Sequence, residues 1–142
     1  MVAIGSDHGG FDLKEKVIEH LEKQGIDVND MGCYDKSSCD YPVFAKAVAE
    51  AVATKTATKG IVICTTGIGV SITANKVKGV RCALCTDSYT AKMTRLHNDS
   101  NVLALGAHVV GEGLALEIVD TFLKTEFSGE ERHSRRIALM EE

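Results

Sequence analysis

Val62-Ile63-Cys64-Thr65-Thr66-Gly67-Ile68-Gly69-Val70-Ser71-Ile72-Thr73-Ala74-Asn75-Lys76 is an apolar run that ends in a thiol, passes through a glycine-bearing turn and resumes at helical spacing. A buried strand feeding a tight turn and then a helix is the unit from which parallel sheets are built. The turn also presents backbone N–H groups at a helix N-terminus, a natural seat for negative charge. From Thr66 to Gly69 those groups are expected to point outward beside the Cys64 sulfur, where a thiolate is favoured too. A reaction that builds an oxyanion next to a proton-abstracting base fits this arrangement.

Outward from that stretch, short apolar runs at residues 2–6, 26–30, 60–64, 80–84 and 102–105 predict five buried strands, each bounded by Gly, Asp, Asn or Ser. Residues 11–23, 44–54, 70–76, 88–96 and 113–124 carry apolar residues at helical spacing, with Phe11, Lys14, Val17, Ile18 and Leu21 forming the inner stripe of the first helix or its edge. Strands alternating with helices imply parallel pairing through right-handed crossovers. The expected fold is a three-layer α/β/α, doubly wound (Rossmann-like) domain around a five-stranded parallel sheet. The one proline, Pro42, precedes the second helix. Ser128-Gly129-Glu130-Glu131 matches a capping box and is expected to start a C-terminal helical tail on which Arg132 and Arg136 share a face. No linker, repeat or low-complexity stretch divides residues 1–142, so one domain is expected.

Ligands of open α/β sheets bind outside the carboxyl ends of the strands, where the winding reverses. The sequence loads those ends with Ser6-Asp7-His8-Gly9-Gly10, Cys64 to Gly69, Cys85-Thr86-Asp87 and Gly106-Ala107-His108. Asp7 to Gly10 taken alone is as well explained by a helix N-cap as by a binding loop. Beside Cys64, substrate binding by Asp7 and His8 is favoured, because imidazole donates to hydroxyl or phosphate and carboxylate accepts from sugar hydroxyls. An isolated cysteine is usually an inert buried thiol. What sets Cys64 apart is its place at a strand end before a glycine turn.

Cys82 and Cys85 mimic a redox pair, but three residues apart on a strand their side chains face opposite ways, which makes them core. Cys33 and Cys39 lack partners at zinc-ligand spacing, so neither metal nor cofactor is expected. Asn98 to Asn101 suit a capping turn; His97 beside them is either a surface residue or a proton donor facing the cleft. His20 is expected in solvent. The Arg132 to Arg136 cluster fits a solvated face paired with Glu130, Glu131 and Glu142, or, more sharply, a pair of guanidinium forks that grips phosphate.

Composition narrows the partners. The 142 residues carry 16 Lys and Arg against 20 Asp and Glu, a net charge of −4, which disfavours nucleic acid or a membrane surface. No apolar run approaches a bilayer span, and five cysteines, an odd number, suit a reducing, cytoplasmic setting.

Together, Ser6 to Phe11, Asp40-Tyr41-Pro42, Cys64 to Gly69 with Ser71-Ile72 and Ala74-Asn75-Lys76, His97-Asn98-Asp99, Asn101 to Gly106 and the Arg132 to Arg136 tail resemble the B-type ribose-5-phosphate isomerases, a family that includes the galactose-6-phosphate isomerase subunits. The resemblance runs nearly the whole length. It implies a metal-free aldose–ketose isomerase acting on a small sugar phosphate, as a homodimer or dimer of dimers with the cleft at the subunit interface. On that resemblance Cys64 is the base, Thr66 with Thr65, Gly67, Ile68 and Gly69 forms the enediolate cradle, and His97 is the ring-opening acid. Asp7, His8, Tyr41 and Asn98 resemble substrate contacts, and Arg132, Arg136 and His108 the phosphate grip. The family commonly has Gly at Thr65 and Arg at His108, departures that bear on substrate preference. Its galactose branch usually lacks the cysteine. A non-catalytic sugar-phosphate or nucleotide-binding module and a thiol-redox protein are the rival expectations.

Overall fold

In a computed structural model that describes residues 1–142, the elements follow the expected alternation. They are β1 (Val2–Ser6), a single 3-10 turn (His8–Gly10), α1 (Phe11–Lys23), β2 (Val28–Asp30), α2 (Tyr41–Ala53), β3 (Lys59–Cys64) and α3 (Ile68–Ala74), then β4 (Cys82–Leu84), α4 (Ser88–Asn98), β5 (Val102–Gly106), α5 (Glu112–Lys124) and α6 (Glu131–Met140). The sheet is parallel throughout, in the order β2-β1-β3-β5-β4. Winding therefore reverses between β1 and β3, which places Asp7, just past β1, and Cys64, the last residue of β3, at one crevice.

Strand residues alternate between two cores. Ile4, Ile61, Ile63, Leu103 and Leu105 pack with Leu13, Val17 and Leu21 of α1, Ala91 of α4, and Ile118 and Phe122 of α5. Ala3, Val62, Cys64, Val102 and Ala104 pack with Ala45, Val48 and Val52 of α2 and with Val70 and Ala74 of α3. The second face is the smaller in side-chain volume. It is the face to which Cys64 belongs. No helix is long and apolar enough to cross a membrane.

Several boundaries differ from expectation. β2 and β4 are three residues each, because residues 26–27 and 80–81 lie outside the ladder. α2 starts at Tyr41, with Pro42 inside its first turn, where no backbone N–H is needed. α3 begins at Ile68 and ends at Ala74, and α4 runs to Asn98, stopped by Asp99 in the left-handed region. The capping box at Ser128 does not form: Ser128 Oγ accepts from the Glu130 N–H at 3.3 Å, Gly129 has φ 74°, and α6 starts only at Glu131 with no side-chain cap.

Two polar residues are more engaged than sequence suggests. His20 is not simply solvated but meets Asp120 of α5 at 2.9 Å. Lys14 lies fully buried on the inner stripe of α1, its Nζ 2.8 and 2.9 Å from the Asp30 carboxylate. A buried ammonium persists only when paired in this way.

Candidate active site

β3 carries Cys64 to the sheet edge, and the turn after it is held tightly. Gly67 takes φ 78°, which favours glycine, and a Cβ there would meet the Leu105 carbonyl carbon at 2.8 Å. The turn is further tied to its neighbours, the Ala107 N–H donating to the Cys64 carbonyl at 2.9 Å and the His108 N–H to the Thr65 carbonyl at 3.0 Å. Thr65 Oγ1 fills the space that a Cβ on Gly9 would need, so the loops after β1 and β3 interlock.

Cys64 is 6% exposed, yet it is not sealed in the interior. Its side of the turn lines a pocket of about 440 Å³ with Asp7, Tyr41, Thr65, Thr66, Ile68, Gly69 and Ile72. The Gly67 N–H donates to Cys64 Sγ at 3.2 Å, a bond stronger to a thiolate than to a thiol. Of the four N–H groups expected to form an open cradle, that of Gly67 is thus turned to the sulfur and that of Ile68 to Thr66 Oγ1 at 3.2 Å. The N–H groups of Thr65, Thr66 and Gly69 have no hydrogen-bond partner within the chain. Because α3 is seven residues long, these local donors matter more here than a summed helix dipole.

Asp7 takes the capping place expected of it and also borders the Cys64 pocket. Its Oδ1 caps the 3-10 turn by accepting from the Gly10 N–H at 3.1 Å, and its side chain also lines the Cys64 pocket. His8 is exposed, with Nδ1 accepting from the Cys39 N–H at 3.2 Å. That bond fixes the tautomer with the proton on Nε2, leaving a donor for a ligand. Tyr41 stands at the start of α2 with its ring against Gly69, where a Cβ would come within 2.5 Å of the ring.

The other expected site residues lie elsewhere on the chain. His108 is exposed in a neighbouring pocket of about 350 Å³ beside Gly9, Lys16 and Gly111. Asn98, on the last turn of α4, accepts from Thr94 Oγ1 at 3.1 Å and borders a cavity of about 610 Å³ between residues 75–83 and α6. His97 is exposed on the same turn and stacks on His133 of α6, ring centroids 4.4 Å apart. Arg132 pairs with Glu130 at 3.1 Å and Arg135 with Glu131 at 3.2 Å, while Arg136 makes no ion pair. The solvated reading of this cluster is therefore partly met, but exposed pairs contribute little and yield readily to a phosphate. One chain thus holds two separate groups, Cys64 with its pocket and His97 with the arginines.

His133 is the residue that sequence reasoning passes over. It is 6% exposed on an otherwise solvated helix, and its Nε2 is buried without a partner. Only its place between Arg132 and Arg136 hinted at a role. Cys82 and Cys85 pack on different cores, as expected. Burial and the neighbouring Cys85 push the Cys82 thiol up to about 12, and burial raises Cys85 as well, which opposes thiolate chemistry at either. No group of three or more His, Cys, Asp or Glu side chains is placed to hold a metal ion.

Comparison with known proteins places this geometry. Ribose-5-phosphate isomerase B of Escherichia coli is 46% identical over 136 residues, covering 96% of this chain and 91% of that protein. The structure of Clostridium thermocellum ribose-5-phosphate isomerase B superposes with a TM-score of 0.97 at 54% identity, covering 99% of this chain and 94% of the other. That of the Mycoplasma genitalium ribose-5-phosphate isomerase B with bound ribulose 5-phosphate gives 0.93 at 43% identity, covering 99% and 93%. The ribose/galactose isomerase family matches residues 2–140, and with the sheet order, the Cys64 turn and these relatives in agreement, the chain belongs to that family.

Proposed function

We propose that this protein interconverts ribose 5-phosphate and ribulose 5-phosphate through a cis-enediolate. The observation that carries the proposal is the Cys64 sulfur, backed by the Gly67 N–H, at a pocket it shares with Asp7 and Tyr41 and with Thr65, Thr66 and Gly69, whose N–H groups have no partner within the chain. Isomerisation removes a proton from the carbon next to a carbonyl, and its obstacle is the charge that builds on oxygen. Cys64 Sγ, as thiolate, takes the proton from C2 of the open-chain aldose. The N–H groups of Thr65, Thr66 and Gly69 receive the enediolate oxygen, and Thr66 Oγ1, which already accepts from Ile68, has its own proton to donate there. The proton returns to C1 while the O2 hydroxyl proton passes to O1 within the enediolate, and the ketose results. Loss of one such donor typically costs about 10²–10³ in rate.

His97 supplies the proton that opens the furanose ring, His8 and Asn98 contact the sugar, and Arg132, Arg136 and His108 hold the phosphate. Binding of that remote phosphate orients the reacting carbons against the sulfur. Since His97, Asn98, Arg132 and Arg136 do not line the Cys64 pocket of their own chain, the complete site is formed between two copies, as a homodimer or a dimer of dimers. A six-carbon sugar phosphate such as allose or galactose 6-phosphate is the alternative substrate. Cys64 favours ribose, on the family resemblance.

Incubation with ribose 5-phosphate in heavy water, followed by NMR, tests the proposal. Ketose signals with deuterium on carbon are expected. Binding without either would leave a sugar-phosphate-binding module, and faster turnover of a hexose phosphate would move the substrate to the other branch.

A further inference from the structure

The last carbonyls of α4 are acceptors that a helix leaves without internal partners. Arg81, just before β4, meets them: Nε donates to the Asn98 carbonyl at 2.9 Å and Nη2 to the Asp99 carbonyl at 3.0 Å. The third arm, Nη1, reaches Glu141 Oε1 at the end of α6, at 2.7 Å. The base of the side chain is itself fixed, because the Arg81 N–H donates to Asn101 Oδ1 at 2.9 Å and its carbonyl accepts from Asn101 and Val102. Its side chain is 18% exposed, which limits screening of these contacts.

Capping α4 requires only the two carbonyls. Glu141 adds a connection of another kind, since one rigid guanidinium now spans the turn that bears His97 and the helix that bears Arg132 and Arg136. The turn is secured against the core by a different residue: buried Arg95 donates through Nη1 to Asp99 Oδ1 at 2.8 Å and to the Ser100 carbonyl at 2.6 Å. Without Arg81 the turn persists on Arg95, and the tie between it and α6 is reduced to the His97–His133 stack, which a shift of either ring loosens.

We propose that Arg81 is a positioning residue, a strut between the His97–Asn98 turn and Glu141 that presents the ring-opening acid and the phosphate-holding arginines as one unit. The inference rests on the role given to His97 above. Lysine keeps the charge but, as a single point donor, cannot span three acceptors.

The test uses the full-length Arg81→Lys, Glu141→Gln and His97→Asn variants and the double variant Arg81→Lys/His97→Asn, assayed for isomerisation of ribose 5-phosphate with thermal unfolding as the folding control. Arg81→Lys is expected to melt near the wild type while kcat falls about 10–100-fold, the cost of a misplaced reacting group. Glu141→Gln is expected to raise KM several-fold, a change confined to the end of α6 that keeps the inference open to refutation even if Arg81→Lys folds poorly. In the His97→Asn background Arg81→Lys should lower residual kcat no further, because the group it orients is gone. Additive losses, or unchanged kinetics in Arg81→Lys or in Glu141→Gln, overturn the strut. A fully active His97→Asn removes both the strut and the assignment beneath it, whereas an inactive His97→Asn beside an unimpaired Arg81→Lys removes the strut alone.

Discussion

Cys64 combines two properties that seldom occur together in one thiol: a place in the packed core and an opening onto a pocket. Its assigned task predicts the outcome of the smallest change at that atom. Cys64→Ser keeps the shape and replaces the sulfur by a hydroxyl too weakly acidic to serve as the base, so kcat should fall by about 10²–10⁴-fold, the range of general base catalysis. Affinity for the sugar phosphate, measured by calorimetry, should stay near that of the wild type. Retained turnover would take the proton-abstracting role away from this residue. The placement of single residues was readable where the backbone dictated it, as with Cys64 at a strand end and Asp7 at a cap. What the sequence could not show is that the Gly67 and Ile68 N–H groups are already spoken for by Cys64 and Thr66. Which donors stay open depends on how one turn closes, and no periodicity encodes that.

Among the elements, α1 matches its expected bounds because a long amphipathic stripe ends in polar residues. α6 does not, since Gly129 at positive φ interrupts the apparent capping box before the helix can start. Its docking likewise escapes sequence reasoning: His133 stacks on His97 of α4, a contact between residues 36 apart in the chain that no local pattern announces. Burial, then the charges of His97 and Arg132, and also Arg136, hold His133 below the ordinary histidine value of 6.5 against an opposing pull from Glu130. The folded chain then binds this proton less readily than the unfolded one. The stability His133 contributes is present above pH 6.5 and is lost as pH falls through the lowered value. Protection factors of α6 amides, corrected for the intrinsic fall of exchange with pH, should therefore drop on acidification from neutrality to about pH 5 more than those of α5. An equal loss of protection in the two helices would show that His133 does not govern the docking.

At the level of the whole molecule, the parallel pairing and the two covered faces of the sheet follow from the alternation of strand and helix patterns, which is why the α/β/α architecture was legible; the strand order β2-β1-β3-β5-β4 is a finding of the structure. The separation of the candidate site residues into two groups does not follow from that alternation, because it depends on which residues of distant elements share a pocket; only the family resemblance, with its cleft at the subunit interface, pointed to it. Cys64 shares a pocket with Asp7 and Tyr41, while His97 and the arginines, on α4 and α6, do not line it. The proposed sharing of the site between copies makes a quantitative forecast. Cys64→Ser and His97→Asn, each inactive alone, should regain roughly a quarter of the wild-type rate when unfolded and refolded together, since half of the dimers are mixed and each mixed dimer has one intact site. No recovery on mixing, with dimers present by sedimentation, would place the whole site within one chain.

Ile63 and Cys64 are neighbours in β3, yet one looks into the layer of α1 and α5 and the other into that of α2 and α3. The address of the reactive sulfur is accordingly a matter of counting. One residue inserted or removed within β3 would exchange the two destinations, sending the thiol into an oily interior and a branched hydrocarbon to the mouth of the pocket, with every residue of the turn after β3 still present in the chain.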